Sequence, residues 1–298
     1  MSKVVLLDGG MGQELLSRSQ RPATPMWSAD VMLHEPSLVR DLHLDFIRSG
    51  ADLITLNTYT ATPTRLARQN ALPKLQDLHI MAMSAATEAR QLSGRTEVKI
   101  AGCLPPLVAS YRPEFALPYQ ASLDSYRTLV KLQSPASDLF ICETMSSIDE
   151  AKAACVAGLE SEKPVWLGLT VQDDQPQLLR SGESLKDALT IFEAMPIEAI
   201  VLNCSQPEAI DACWPLLSKS TKKIGAYANG FVSVTSLYPG DTVEELQSRQ
   251  DLSPKHYADY ALSWVERGAT IIGGCCEIGP EHIKAIHQRL VDAKFKPF

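Results

Sequence analysis

Cys275 and Cys276 stand side by side, directly after Gly273 and Gly274 and a β-branched run, and a third cysteine, Cys204, ends another apolar run. Neighbouring side chains of a regular strand point to opposite faces. The adjacent pair can aim at one point only where the backbone leaves strand geometry, which the two glycines permit. Bridging sequence neighbours strains a disulfide, so the pair is better suited to share a soft metal as thiolates. Cys204 supplies a third thiol after a different strand. Three thiolates with one open position describe a catalytic zinc site rather than a closed structural one. The alternative is that small thiols merely pack in a core, and for Cys204 taken alone both readings stand.

Other polar residues fall at strand ends in the same way. Asp8 and Glu143 each follow an apolar run, and a buried carboxylate there needs a partner such as a substrate ammonium. Taken singly, Asp8 also reads as a turn residue and Glu143 as a helix-start charge. Gly9 and Gly10 expose backbone N–H groups that can cradle a carboxylate. Asn57, Tyr59 and Asn203 are candidates for hydrogen bonds in one cavity. Cys103 reads as a buried free thiol, and Cys142, Cys155 and Cys213 as packing residues. The six histidines show no metal spacing.

Eight short apolar runs must position these groups, at 4–7, 53–56, 98–101, 139–142, 165–171, 199–202, 224–228 and 270–272. Amphipathic stripes alternate with them. Leu38, Leu42 and Phe46 make one, closed by Gly50. Tyr257, Tyr260, Ala261 and Trp264 make another, and Ile283, Ile286 and Leu290 a third. Strand–helix alternation repeated eight times predicts a single-domain α/β (β/α)8 TIM barrel over 1–298. An open doubly wound sheet is the alternative, but no clear phosphate-binding glycine fingerprint accompanies it. Long connections at 105–118 and 229–251 are expected to build the substrate pocket.

With 28 basic and 35 acidic residues the net charge is −7, and no basic block points to nucleic acid. No apolar stretch reaches membrane-spanning length. The N-terminal apolar run is too short for a signal peptide. A cytoplasmic, reducing setting is therefore expected, and the seven cysteines fit metal or catalytic thiols better than a disulfide framework. The oligomeric state is open, a homo-oligomer included.

These motifs carry a resemblance. Asp8-Gly9-Gly10-Met11-Gly12, Gly50-Ala51-Asp52 leading to Asn57-Thr58-Tyr59, Glu143-Thr144, Asn203-Cys204, and Gly273-Gly274-Cys275-Cys276 with Pro280-Glu281-His282-Ile283 resemble the homocysteine S-methyltransferase family from first strand to last helix. The resemblance implies a zinc barrel that methylates the thiol of homocysteine to give methionine. It implies that Cys204, Cys275 and Cys276 hold Zn2+, that Asp8 and Glu143 hold the substrate's amino group, and that the glycines after Asp8 receive its carboxylate. No catalytic residue is implied beyond the zinc-activated substrate thiolate. The implied donors are S-methylmethionine or S-adenosylmethionine, with a betaine-like donor or another thiol acceptor as alternatives.

The chain departs from the family pattern at Gln13, at Gly102-Cys103-Leu104-Pro105-Pro106 and at Tyr227-Ala228-Asn229-Gly230-Phe231. All three border the expected pocket, so a shifted donor preference is expected, with Tyr59, Tyr111 or Phe231 facing a cationic donor. The rival class is a zinc-binding or thiol-switch barrel without methyl transfer. A hydrolase is disfavoured by thiolate-only ligation and the lack of an evident base.

Overall fold

The computed structural model describes residues 3–241 and 246–297. Eight parallel strands follow one another in space: β1 (Lys3–Leu6), β2 (Leu53–Thr55), β3 (Lys99–Leu104), β4 (Leu139–Met145), β5 (Val165–Leu169), β6 (Ala199–Asn203), β7 (Lys223–Tyr227) and β8 (Ile271–Ile272). β8 pairs with β1, and the Leu7–Leu53 bridge joins β1 to β2, which closes the (β/α)8 barrel. The strands read as continuous apolar runs because both faces are buried. Leu7, Leu53, Ala101, Ile141, Val201 and Ile271 fill the interior, while Leu6, Ile54, Ile100, Leu167, Ile200 and Ile272 pack against the helices.

The helices are α1 (Met11–Arg18), α2 (Ser28–His34), α3 (Pro36–Arg48), α4 (Pro63–Arg68), α5 (Leu75–Ser93), α6 (Tyr119–Gln133), α7 (Ile148–Leu159), α8 (Leu185–Glu193), α9 (Pro207–Leu217), α10 (Pro254–Glu266) and α11 (Pro280–Asp292). The expected stripes are the inward faces. α3 buries Leu42 and Phe46 before Gly50 turns the chain at φ +109°, and α11 buries Ile283, Ile286 and Leu290. Among the described residues no helix is long and apolar enough to cross a membrane.

The structure differs from the sequence expectation at the element ends. β3 runs on to Leu104, so Cys103 lies within a strand. β4 runs on to Met145 with an irregular register after Cys142, and so carries Glu143 on its last turn-like stretch. A ninth strand, β9 (Lys296–Pro297), adds to the outer edge of β1.

Closure between β1 and β2 relies on a side chain. Asp52 accepts a hydrogen bond from Leu6 N–H (3.1 Å), pairs with Arg95 (3.0 Å) and donates its own N–H to Leu6 O (2.7 Å). Asp52→Ala strands the buried Leu6 N–H, so a loss of roughly 1–3 kcal/mol is expected. Equilibrium denaturant unfolding measures it; an unchanged midpoint would show that the seam closes without this carboxylate.

Candidate active site

At the carboxyl end of the barrel the loop after β8 crosses the loop after β1 at backbone contact. A Cβ at Gly9 would stand 1.9 Å from Ile278 O, and one at Gly10 2.5 Å from Cys275 O. Only residues without a side chain permit this crossing. Hydrogen bonds fasten it: Gly10 N–H to Ile278 O (2.9 Å) and Gly274 N–H to Asp8 O (3.0 Å). The crossing brings the cysteines beside Asp8.

Cys204, Cys275 and Cys276 place their sulfurs within 4.8 Å of one another. Cys204 follows β6 in the left-handed region (φ +49°), the bend that turns its side chain toward β8. In this structure Cys204 and Cys275 are joined as a disulfide, and Cys276 is free. The sequence pointed to a metal rather than a disulfide. Sulfurs drawn into bonding range are also placed to share one ion once reduced. Burial pushes the Cys276 thiol up to about 12, so a cation is required for it to be a thiolate near neutral pH. The donor set, three sulfurs and no histidine, fits a soft divalent metal. The Tyr111 hydroxyl donates to Cys204 Sγ (3.3 Å), and the Arg180 guanidinium lies 5.0 Å from the Tyr111 ring centroid.

Asp8 and Glu143 line the same cavity. Asp8 accepts from Thr55 N–H (2.8 Å), and Glu143 accepts from the Cys103 thiol (2.8 Å). Neither forms an ion pair among the described residues. Burial raises Asp8 to about 8, with Glu143's like charge adding, and burial raises Glu143 to about 7. Two carboxyls side by side in one cavity, with no cation partner among the described residues, make a site for a ligand cation. Cys103 is the buried free thiol expected from the sequence, and it also orients Glu143. Burial and Glu143's charge hold that thiol well above its usual range, so it stays a donor.

Two expected substrate contacts are placed differently. Asn203 does not reach the cavity: its Oδ1 accepts from Thr144 N–H (3.0 Å) and its Nδ2 donates to Thr144 Oγ1 (3.0 Å). It therefore pins the left-handed Thr144 (φ +60°) next to Glu143. Gly10 N–H is taken by Ile278 O, so it cannot receive a carboxylate. The first turn of α1, which has no side-chain cap and lines the cavity through Met11 and Gly12, presents free N–H groups instead. Asn57 does line the cavity, and its amide donates to Ser28 O (3.3 Å).

Trp27, Tyr59, Tyr111 and Phe231 form the aromatic side of the cavity. Gln13 accepts from Trp27 Nε1 (3.1 Å) and Ser110 lies 2.8 Å from the Tyr59 hydroxyl. The two long loops meet over it, where Arg112 donates to Leu237 O (2.9 Å) and stacks 3.9 Å from the Tyr238 centroid. Tyr227 lines the cavity with a buried, unpartnered hydroxyl. The sequence marked Tyr227 only as part of a departure from the family pattern, and it did not mark Trp27, which carries no motif.

A closed parallel barrel with a three-sulfur cluster and an acidic pocket at its mouth defines the class: an α/β barrel with a candidate thiol-ligated metal centre. The chain belongs to the homocysteine S-methyltransferase family, whose model matches residues 5–290. It is 29% identical to homocysteine S-methyltransferase 1 of Zea mays (96% of this chain, 94% of that one) and 29% identical to homocysteine S-methyltransferase of Escherichia coli K12 (96% and 95%). Its structure is similar to that of the Escherichia coli homocysteine methyltransferase MmuM in its metallated form, with TM-score 0.80, 26% identity and 96% coverage of both chains. The oxidized form of MmuM is equally similar, at TM-score 0.80 and 27% identity.

The raised carboxyls have a pH consequence. The folded chain keeps protons on Asp8 and Glu143 that the unfolded chain releases above the ordinary values of 3.8 and 4.5. Stability contributed by these two groups therefore falls as pH rises from about 4 to about 8. Asp8→Asn is expected to flatten this decline, read as a smaller drop in unfolding midpoint between pH 5 and pH 8 than in the unaltered chain. Parallel pH curves for the two would remove the assignment.

Proposed function

We propose that this protein transfers a methyl group from an onium donor to the thiol of homocysteine, giving methionine, with Zn2+ held by Cys204, Cys275 and Cys276. The observation that carries the reading is a pair of carboxyls, buried Asp8 and half-buried Glu143, that have no cation partner among the described residues and share one cavity with three sulfurs. An ammonium and a thiol a few bonds apart match those two features. Bound zinc would keep the acceptor thiol deprotonated at neutral pH and remain electron-rich with three thiolate ligands.

The chain's own residues do the rest. Asp8 and Glu143 take the ammonium, and Cys103 and Thr55 hold them in place. The first turn of α1 receives the carboxylate. Trp27, Tyr59, Tyr111 and Phe231 exclude water and face the donor's positive charge. In the transfer the acceptor's sulfur lone pair forms the new carbon–sulfur bond. The bond from methyl carbon to the onium atom breaks, and its electron pair stays on that atom, which leaves neutral. The acceptor's thiol proton goes to solvent. No side-chain base is needed, and alignment by the barrel supplies the main rate advantage. S-methylmethionine and S-adenosylmethionine are the donors implied by the family, and the loops after β3 and β7 are where a different preference would arise.

Incubation of reduced, zinc-loaded protein with homocysteine and a panel of onium donors, with detection of methionine, tests this directly. About one zinc per chain is expected, lost in Cys204→Ala and Cys275→Ala. Glu143→Gln is expected to keep zinc and weaken homocysteine binding by roughly ten- to hundredfold. Full zinc in both cysteine variants would sink the ligand assignment. A thiol switch without methyl transfer is the second reading, favoured by the Cys204–Cys275 bond. It predicts no methionine from any donor and reversible loss of metal on two-electron oxidation.

A further inference from the structure

Buried side-chain atoms of His43, His79, Tyr227 and Asn229 lack a hydrogen-bond partner among the described residues. Of these four residues, only Tyr227 lines the cavity that holds the sulfurs and the two carboxyls. Its ring belongs to the interior core with Leu7, Ile141 and Val201, a place that phenylalanine would fill as well. The hydroxyl adds nothing to that packing, and a buried hydroxyl without a partner costs stability. A ligand atom that meets it in the cavity accounts for its being there.

Tyr227 is the last residue of β7, opposite Asn203 at the end of β6. Its backbone O accepts from Cys204 N–H (3.1 Å), which ties the residue to the sulfur cluster. Its hydroxyl reaches across to β5. A Cβ at Gly168 would stand 2.9 Å from the hydroxyl oxygen and 2.7 Å from Asn203 Oδ1. Only glycine leaves room for both. Asn203 Oδ1 in turn holds Thr144 N–H, next to Glu143. One residue thus holds Cys204 through its backbone and faces the Glu143 side of the cavity through its side chain. Burial first, then Glu143, with Cys103, Tyr59 and Asp8 adding, pushes the hydroxyl far above the ordinary phenol value, so it stays neutral. Both carboxyls act on it, and both repel a ligand carboxylate. The ligand group met there is therefore a cation. An ammonium carries three N–H donors. Asp8 and Glu143 accept two of them, and a neutral oxygen accepts the third without adding another negative charge. We infer that Tyr227 is a substrate-binding residue whose hydroxyl oxygen accepts the third N–H of the substrate's ammonium, and that it favours amino thiols over thiols that lack the amine. The inference rests on the methyl-transfer reading and adds a residue to its amino-acid site.

Tyr227→Phe removes the oxygen and keeps the ring. Calorimetry on reduced, zinc-loaded protein compares homocysteine with 3-aminopropanethiol, which lacks the carboxylate, and with 4-mercaptobutanoate, which lacks the amine. Tyr227→Phe is expected to weaken homocysteine and 3-aminopropanethiol by about tenfold each and to leave 4-mercaptobutanoate unchanged. Denaturant unfolding of the ligand-free variant is expected at an equal or higher midpoint, because the unpaired hydroxyl is gone. Unchanged affinity for all three thiols, an equal loss for all three, or a loss confined to the two with a carboxylate overturns the inference. A variant that fails to fold, or that unfolds at lower denaturant, shows the hydroxyl to be structural and overturns it too. Methionine formation is assayed separately. Its absence with every donor, beside an amine-dependent loss in Tyr227→Phe, counts against methyl transfer and leaves the ammonium contact standing. Failure of homocysteine to bind the unaltered chain sinks both.

Discussion

The crossing of the loops after β1 and β8 is the contact on which the site depends. Ile278 O and Cys275 O sit where a Cβ of Gly9 or Gly10 would be. A single methyl group there forces the strands apart, and Asp8 moves away from the sulfurs. Because β8 contributes only two residues to the sheet, it has little ladder of its own to resist such a shift. Its place is fixed instead by backbone bonds beyond the strand, Gly274 to Asp8 and Cys275 to Ala228. The element that carries two of the three sulfurs is thus held by its neighbours rather than by its own length.

A second constraint is electrostatic. The mouth contains two carboxyls, Asp8 and Glu143, with no cation partner among the described residues. Holding them there without a partner costs stability in the empty protein, a cost that a cationic ligand would offset. Backbone strain follows the same distribution: Trp27, Tyr111 and Cys204 line the cavity at positive φ, and Thr144 and Glu277 flank Glu143 and Cys276 likewise.

The barrel and the three sulfurs were legible in the sequence because both depend on local pattern. Apolar runs mark the strands, and a cysteine at a run's end marks the mouth. Asp8 and Glu143 were legible for the same reason. What was not legible depends on distances between strands. Asn203 looks like any polar strand-end residue, and only the fold shows that Thr144 takes up its amide. Cys103 falls in a run that reads as packing until β3 and β4 are set side by side and its thiol meets Glu143.

β9 has a consequence of a different kind. Lys3 and Lys296 are register partners on adjacent parallel strands at the foot of the barrel, away from the mouth. The two ends of the described chain therefore lie side by side. A short peptide joining them, with new ends opened in an exposed helix connection such as that around Gly94, would leave the loop crossing and the sulfur cluster untouched. The order in which the eight units are synthesised is thus separable from the geometry that makes the site, and a rearranged chain offers a way to learn which unit must form first.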